Sequence, residues 1–444
     1  MTKQEPRSAF IWIVICLLIP ILGPILYLIL GVNCIKVLSQ RWETKGKNDK
    51  QGMEDKKVNE LYTHPDYSGL VLLGDKITND KCMSGCNIEI FHDGTEAYPA
   101  MLTAINQAKY SVYLSSYIFG GGGICEDFVA ELSAAHKRGV DVRVCIDSIG
   151  IIDLYSSVYK KLQQEKVPTA LFLCPWQNLI HIIHLNIRNH RKLLTIDGQI
   201  GFTGGMNISE DNFARKNKAV QIHDIHFKVA GPIISDMQDA FLRVWHFMKK
   251  NLPQQKTVYY DDTPVGNAIC RSIAIGPYIP EPEFLIILLT AIGAAKNHVR
   301  IMTPYFIPNL LLYTALAQAC LRGVNVEIIL PDTTDISLVK SASEANITEL
   351  LKYRLKFYYR QGAFAHSKIV IIDDQISYIG SSNLDVRSFY LNLEIFDQTI
   401  AKSLIQHFEQ IKNASLLITE TWLKERPLLI KFRSALFRLL TPYI

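Results

Sequence analysis

The sequence lacks the features that mark several common classes of protein. Its nine cysteines are an odd number and lie between Cys16 and Cys320 without a repeating spacing, which argues against a disulfide framework and favours reducing surroundings. No second Cys or His pair accompanies Cys82 and Cys86 at zinc-finger spacing, so we expect no metal site. The net charge of +5 over 444 residues is small for a nucleic-acid-binding protein and favours mild attraction to anionic lipid.

Charge is also missing near the N-terminus, where no charged residue lies between Arg7 and Lys36. After a short tail (1–8), residues 9–31 predict one transmembrane helix, because 23 residues span about 35 Å and a bilayer core is about 30 Å thick. A cleavable signal peptide would have a shorter apolar region followed by small residues. Pro20 and Pro24 should kink the helix, which leaves a re-entrant segment as an alternative.

The flanks of this apolar segment predict its orientation. Lys3 and Arg7 precede it, and a larger set of basic residues follows it: Lys36, Arg41, Lys45, Lys47 and Lys50. By the positive-inside bias, the long C-terminal part faces the cytoplasm of a bacterial plasma membrane.

The rest of the chain is divided by composition into two similar halves. With 48% apolar and 20% charged residues, the whole chain has the composition of a folded protein with about two domain-sized units. Residues 32–85 read as a basic juxtamembrane segment and linker, and 251–265 as a connector. The stretches 96–147 and 282–332 share an order of amphipathic helix, strand, helix and strand, so 86–250 and 266–425 are predicted α/β repeats.

Each repeat carries the same short motif late in its sequence. The first contains NHRKLLTIDGQIGFTGGMN and the second AHSKIVIIDDQISYIGSSN. A single His-x-Lys-x4-Asp motif would be weak evidence, but two extended copies at matching places of a repeat are strong evidence of a shared function. The matching residues are His190, Lys192, Asp197 and Asn207 in the first repeat and His366, Lys368, Asp373 and Asn383 in the second.

The spacing of the motif indicates phosphodiester chemistry. Residues two apart on a strand share a face, so each His and Lys should project together while the intervening residue faces away. The Lys and Asn groups would hold the phosphate oxygens. One His can attack phosphorus while the other serves as acid and base, and this chemistry needs no metal or cofactor. Each Asp, at a strand end, is expected to tie down a turn.

On these residues the chain resembles the phospholipase D superfamily and, within it, the bacterial cardiolipin synthases. The motifs GGMNIS (204–209), TPYFIPN (303–309) and GSSNLDVRSFYLNLEI (380–395) are similar to that branch. The resemblance implies two α/β/α sandwich repeats related by a pseudo-twofold axis, with one active site between them. It also implies that His190 is the nucleophile and His366 the general acid and base, with Asp224 orienting His190 and Glu394 orienting His366.

The resemblance implies transfer of a phosphatidyl group from one phosphatidylglycerol to another, giving cardiolipin and glycerol through a phosphohistidine. The alternatives are a phospholipase D or another phosphatidyltransferase that uses water or a different alcohol, and an inactive lipid-binding protein. Phospholipids and the membrane are the expected partners; nucleic acid is not, and the oligomeric state is left open. The C-terminal residues 426–444 read as a basic amphipathic helix in the lipid interface or as a core-packed helix.

Overall fold

The structure is a computed structural model that describes residues 6–27, 56–120, 122–148, 157–174, 188–213, 222–248, 260–274, 283–333, 337–383 and 388–427. Its α-helices are α1 (Pro6–Leu18), α2 (Leu22–Leu26), α3 (Lys56–Thr63), α4 (Ser68–Thr78), α5 (Asp93–Gln107), α6 (Gly123–Lys137), α7 (Ser157–Gln164), α8 (Ile234–Met248), α9 (Glu283–Ala294), α10 (Leu310–Leu321), α11 (Ser337–Leu351), α12 (Gln398–Asn413) and α13 (Glu420–Lys424).

The β-strands follow the same repeat in each half of the chain. The first half contains β1 (Met83–His92), β2 (Ser111–Ser116), β3 (Asp141–Asp147), β4 (Thr169–Phe172), β5 (Arg188–Asn189), β6 (Leu193–Ile196), β7 (Ile200–Gly204), β8 (Ile222–His223) and β9 (Ile225–Ala230). The second half contains β10 (Ala268–Ala274), β11 (His298–Met302), β12 (Asn325–Pro331), β13 (Lys356–Arg360), β14 (Phe364–Ala365), β15 (Ile369–Ile372), β16 (Ile376–Gly380), β17 (Ser388–Phe389), β18 (Leu391–Phe396) and β19 (Ser415–Ile418).

One continuous sheet joins the two halves. Its strand order is β19-β13-β12-β11-β15-β16-β18-β10-β1-β9-β7-β6-β2-β3-β4. The antiparallel β1–β10 pair lies at its centre. Outward from this pair, the strands of the first half follow the same order as their counterparts in the second half. The predicted duplication is therefore confirmed as two α/β units with the same topology. Among the described strands of this sheet, β19 alone has no counterpart in the first unit.

Both faces of the sheet are covered, because the buried strands have apolar residues on both sides. In β2, Val112 and Leu114 enter the cluster formed with α5 to α7, whereas Tyr113 enters the cluster formed with α8 and α12. In the second unit, Val299 and Ile301 of β11 pack with α9 and α10. This alternation produces the α/β/α layering.

The prediction of a linker over 32–85 is wrong for residues 56–78. Helices α3 and α4 lie there, and Val58, Leu70 and Val71 are buried in the core of the second unit. The short apolar pattern of α4, SGLVLLGDKIT, is sufficient for one buried face on a neighbouring sheet. These two helices consequently belong to the folded second unit.

The N-terminal apolar segment folds back on itself, so the prediction of one continuous helix over 9–31 is wrong. Helix α1 ends at Leu18, α2 follows after a turn that contains Pro20, and the rings of Trp12 and Tyr27 come within 5.4 Å. Gly23 lies so close to the α1 backbone that an added Cβ would be 2.6 Å from the Ile15 oxygen. Within the described residues, no helix is both long and apolar enough to cross a membrane.

Several predicted segments lie wholly or largely outside the described residues. They are 32–55, most of the connector 251–265, and 428–444 of the C-terminal amphipathic segment. Arg426, at the start of that segment, forms an ion pair with Glu344 and lies over the Trp422 ring.

Candidate active site

Two short parallel strand pairs bring the histidine motifs of the two units together. β5, which ends at Asn189, pairs with β17 of the second unit, and β14, which ends at Ala365, pairs with β8 of the first. The His366 amide then donates a 2.8 Å hydrogen bond to the His223 carbonyl. Each motif histidine thus directly follows a strand that pairs with the opposite unit, and both predicted motifs meet at one site.

His190 is oriented by a neutral group of the second unit. Its Nδ1 lies 3.0 Å from the Ser381 carbonyl oxygen, and because a carbonyl only accepts, Nδ1 carries the proton and Nε2 keeps its lone pair. Burial and the charges of Lys192 and Lys368 hold the pKa of His190 well below its usual value. A neutral imidazole with a free Nε2 is the form that can attack phosphorus.

His366 is oriented by a carboxylate of the first unit. Its Nδ1 lies 2.8 Å from Oδ2 of Asp224, whose other oxygen accepts from the Ile225 amide. Asp93 holds this corner in place, since its carboxylate accepts from the Asp224 amide at 2.9 Å and from His223 Nδ1. A carboxylate on Nδ1 stabilises the imidazolium form, which is the form that can donate a proton from Nε2.

The two predicted orienting pairs are therefore wrong in their partners. Asp224 contacts His366 and not His190, because β8 pairs with β14 directly before His366. Glu394 lies deeper in the sheet, where its cross-strand neighbours are Arg271 and Tyr378. Its carboxylate accepts from both, at 2.9 and 2.8 Å. Glu394 is fully buried in that cluster and contacts Arg271 instead of a motif histidine.

Gly205 shows how tightly the Asp224 carboxylate is enclosed. A Cβ added at this position would lie 2.3 Å from Asp224 Oδ1. The second glycine of the GGMN stretch is thus needed because any side chain would displace the carboxylate from His366. The second unit has Ser381 at the equivalent place, and there the backbone carbonyl of Ser381 contacts His190.

The aspartates of the two motifs stabilise turns, as the sequence predicts. Asp197 accepts hydrogen bonds of 2.7 to 2.8 Å from the amides of residues 109–111, and Asp373 accepts bonds of 2.6 to 2.8 Å from those of residues 296–298. Both have positive φ, at 52° and 49°, in the hairpin turns that follow β6 and β15. They fix the strands that follow the two histidines, and within the described residues neither carboxylate hydrogen-bonds to an imidazole ring.

The motif lysines lie beside their own histidines. Lys192 Nζ is 3.4 Å from both ring nitrogens of His190, and Lys368 Nζ is 3.0 Å from His366 Nε2. Burial and the proximity of the two ammonium groups hold the pKa of Lys192 well below its ordinary value. The intervening Arg191 faces the other way and donates to the Ala240 carbonyl of α8 at 2.6 Å. Two crowded buried cations are a site for an anion.

The two motif asparagines occupy unequal environments. Asn207 accepts from the Ile118 amide through Oδ1 at 3.2 Å, which leaves its NH2 group to donate elsewhere. Asn383 is 6% exposed, and its Oδ1 has no hydrogen-bond partner in the described part of the chain. Phosphate binding by these two amides stays a prediction.

Three residues near His190 were not singled out from the sequence. Tyr117 packs its ring 4.8 Å from His190, and Asp147, at the end of β3, accepts from the Asn189 amide at 2.8 Å. Arg188 is buried two residues before His190, with Nη1 3.8 Å from Asp147 Oδ1. The two-residue spacing that links His190 to Lys192 also reaches Arg188, so this signal was present in the sequence.

Two histidines, each held by the opposite repeat and flanked by buried lysines, define a phosphodiester-transfer site of the phospholipase D type. The family model described as "Cardiolipin synthase, PLD-like domain" matches residues 101–245 and 288–413, and one described as "Phospholipase_D-nuclease N-terminal" matches residues 1–31. The chain belongs to the cardiolipin synthase family of phospholipase-D-like proteins.

Similar proteins agree with this assignment over their full length. The chain is 29% identical to the major cardiolipin synthase ClsA of Bacillus subtilis, covering all of this chain and 95% of that protein. It is 30% identical to cardiolipin synthase 1 of Staphylococcus epidermidis, covering all of this chain and 93% of that one. The crystal structure of a phosphatidylserine synthase from Haemophilus influenzae shares the fold, with a TM-score of 0.64 at 14% identity, over 84% of this chain and 98% of that one.

Proposed function

We propose that this protein is a cardiolipin synthase that transfers a phosphatidyl group from one phosphatidylglycerol to another, releasing glycerol. The observation that carries the proposal is that each histidine is held by the opposite repeat. His190 contacts a backbone carbonyl and His366 contacts a carboxylate. The full-length similarity to cardiolipin synthases supports the lipid substrate.

In the first half-reaction, His190 Nε2 attacks the phosphorus of the donor lipid. A P–N bond forms as the P–O bond to the glycerol head group breaks, and protonated His366 gives its Nε2 proton to the departing oxygen. Lys192 and Lys368 stabilise the negative charge that gathers on the non-bridging oxygens. The products of this step are free glycerol and phosphatidyl-His190.

In the second half-reaction, His366 is neutral and acts as a base. It takes the proton from the terminal hydroxyl of a second phosphatidylglycerol while that oxygen attacks phosphorus and the P–N bond breaks. The product is cardiolipin, and both histidines return to their starting forms. The neutral Ser381 carbonyl on His190 and the Asp224 carboxylate on His366 support this division of roles.

We further infer that the α1–α2 hairpin enters one leaflet of the membrane. Leu17, Leu18 and Ile21 at its turn are 74%, 75% and 80% exposed, and no charged residue lies between Arg7 and Lys36. A hairpin returns to the side it started from, so the basic residues on both flanks would face the cytoplasm of the bacterial cell, as the positive-inside bias favours.

The purified protein in mixed micelles with labelled phosphatidylglycerol tests the proposed reaction. The expected products are cardiolipin and glycerol in equal amounts. Phosphatidic acid without cardiolipin would instead indicate a hydrolase, and a phosphatidyl ester of some other added alcohol, formed in preference to cardiolipin, would indicate a different phosphatidyltransferase. A protein that binds these micelles without turnover would overturn the enzymatic assignment.

A further inference from the structure

The site contains a buried cation that the reaction as described leaves unused. The Arg188 side chain is 10% exposed, and neither Nη1 nor Nη2 has a hydrogen-bond partner within the described residues. Its nearest carboxylate oxygen, Asp147 Oδ1, is 3.8 Å from Nη1, which is beyond hydrogen-bond distance. A buried guanidinium without a hydrogen-bond acceptor is costly, and a ligand that supplies one would remove the cost.

The spacing of Arg188 places it on the face of the chain that carries the reacting groups. It precedes His190 by two residues and Lys192 by four, and residues two apart in an extended chain share a face. Tyr117 lies beside the other two residues of this face: its ring centroid is 4.8 Å from that of His190, and Lys192 Nζ lies 5.2 Å from it.

The Arg188–Asp147 pair is absent from the other half of the pseudo-twofold. By the repeat, Phe364 is equivalent to Arg188 and Pro331 is equivalent to Asp147, since β5 corresponds to β14 and β3 to β12. Phe364 packs its ring 5.6 Å from His366. The duplicated framework therefore does not need this pair. Its presence in the first unit alone makes the two sides of a nearly symmetric site chemically different.

We propose that Arg188 binds the phosphate of the acceptor lipid, the second phosphatidylglycerol, while the donor phosphate lies between the lysines. This inference rests on the proposed function. Donor and acceptor each bring one phosphodiester, and the three-carbon glycerol of the acceptor separates its attacking hydroxyl from its own phosphate. A planar guanidinium can hold two oxygens of that phosphate at once. Water and free glycerol have no phosphate, so Arg188 favours a lipid acceptor over both.

The test measures two reactions of one enzyme in the same tube. Labelled glycerol exchanges into phosphatidylglycerol through phosphatidyl-His190 and needs no acceptor phosphate, whereas cardiolipin formation needs one. In R188Q, the ratio of cardiolipin formation to exchange should fall by about tenfold or more, because a charge-assisted bidentate contact is lost. R188K, which keeps the charge, should retain part of the ratio.

R143Q is the matched control. Arg143 is a buried arginine paired with Asp141 at the opposite end of β3, so its loss should alter stability but not the ratio. If R188Q lowers exchange and cardiolipin formation in equal proportion, or changes neither, Arg188 does not bind the acceptor. Wild-type exchange without any cardiolipin would overturn the proposed function itself, whatever R188Q does.

Discussion

At the residue scale, the two histidines differ through their partners. His366 has the Asp224 carboxylate on Nδ1, and His190 has the Ser381 carbonyl. We expect Asp224→Asn to lower cardiolipin synthesis by about 10²- to 10⁴-fold, because an amide cannot stabilise the imidazolium that protonates the leaving group. Initial rates with phosphatidylglycerol at about pH 7.5, where an ordinary histidine is mostly neutral, measure this loss.

Glu394→Gln is the contrasting variant. It weakens the buried ion pair with Arg271, and since breaking a buried pair costs about 3–5 kcal/mol, its melting temperature should drop. The activity of the folded fraction should stay within about tenfold of the wild type, because no contact joins Glu394 to a catalytic histidine in the described structure. An equal loss of activity in both variants, with stability unchanged, would restore Glu394 as an orienting group.

The pH dependence of Asp224→Asn supplies an independent readout. Burial raises the pKa of Asp224 to about 7, against the opposing effect of Lys368. Below that pH the carboxyl takes up a proton and no longer supports the imidazolium, so wild-type activity should decline as the pH falls through this range. The residual activity of the variant should lack that decline, since an amide does not titrate there.

At this scale the sequence predicted that the two motif histidines and their lysines lie together, but it did not predict which residue orients each histidine. The spacing of His190 and Lys192 determines their shared face, because strand periodicity is local. The partner of each histidine depends on strand pairing between the two units. Asp224 and His366, for example, are 142 residues apart in the sequence. Local periodicity contains no information about such pairing.

At the scale of elements, the N-terminal hairpin is the feature that hydropathy could not predict. The run of apolar residues is long enough for one span, but Pro20 lies in the turn between α1 and α2, and Gly23 lets the two helices approach closely. Side-chain hydropathy says where a segment is apolar, and these backbone features decide whether it is straight.

Leu18→Lys tests whether this hairpin enters lipid. A charge at the deepest part of the hairpin costs about 2.5–3.5 kcal/mol in hydrocarbon, so the partition coefficient of the full-length protein into phosphatidylglycerol vesicles should fall by tenfold or more in flotation. Leu321→Lys is the matched control, since Leu321 of α10 is 73% exposed and Leu18 is 75%. Equal flotation of both variants would show that the turn of the hairpin stays outside the bilayer.

At the scale of the whole molecule, the sheet is a duplicated structure whose two halves complete each other's active site. β5 and β14 each cross to the opposite unit, so His190 depends on Ser381 and His366 on Asp224. The repeats, their topology and the meeting of their motifs were predictable because duplication is visible in the sequence. The inequality of the two sides was only partly predictable. Aligning the motifs places Phe364 at the position of Arg188, but it does not show that Arg188 is buried with Nη1 and Nη2 unpaired within the described residues.

His190 is proposed to carry the phosphatidyl group, and His366 to move the protons. A phosphatidyl ester of p-nitrophenol releases a stable anion and needs no general acid, so it can form the intermediate even in His366→Asn. That variant should show a burst of one p-nitrophenolate per active site, and peptide mapping under non-acidic conditions should find the lipid on His190. His190→Asn should show no burst. Lipid attached to His366, or a burst from His190→Asn, would contradict this assignment of roles.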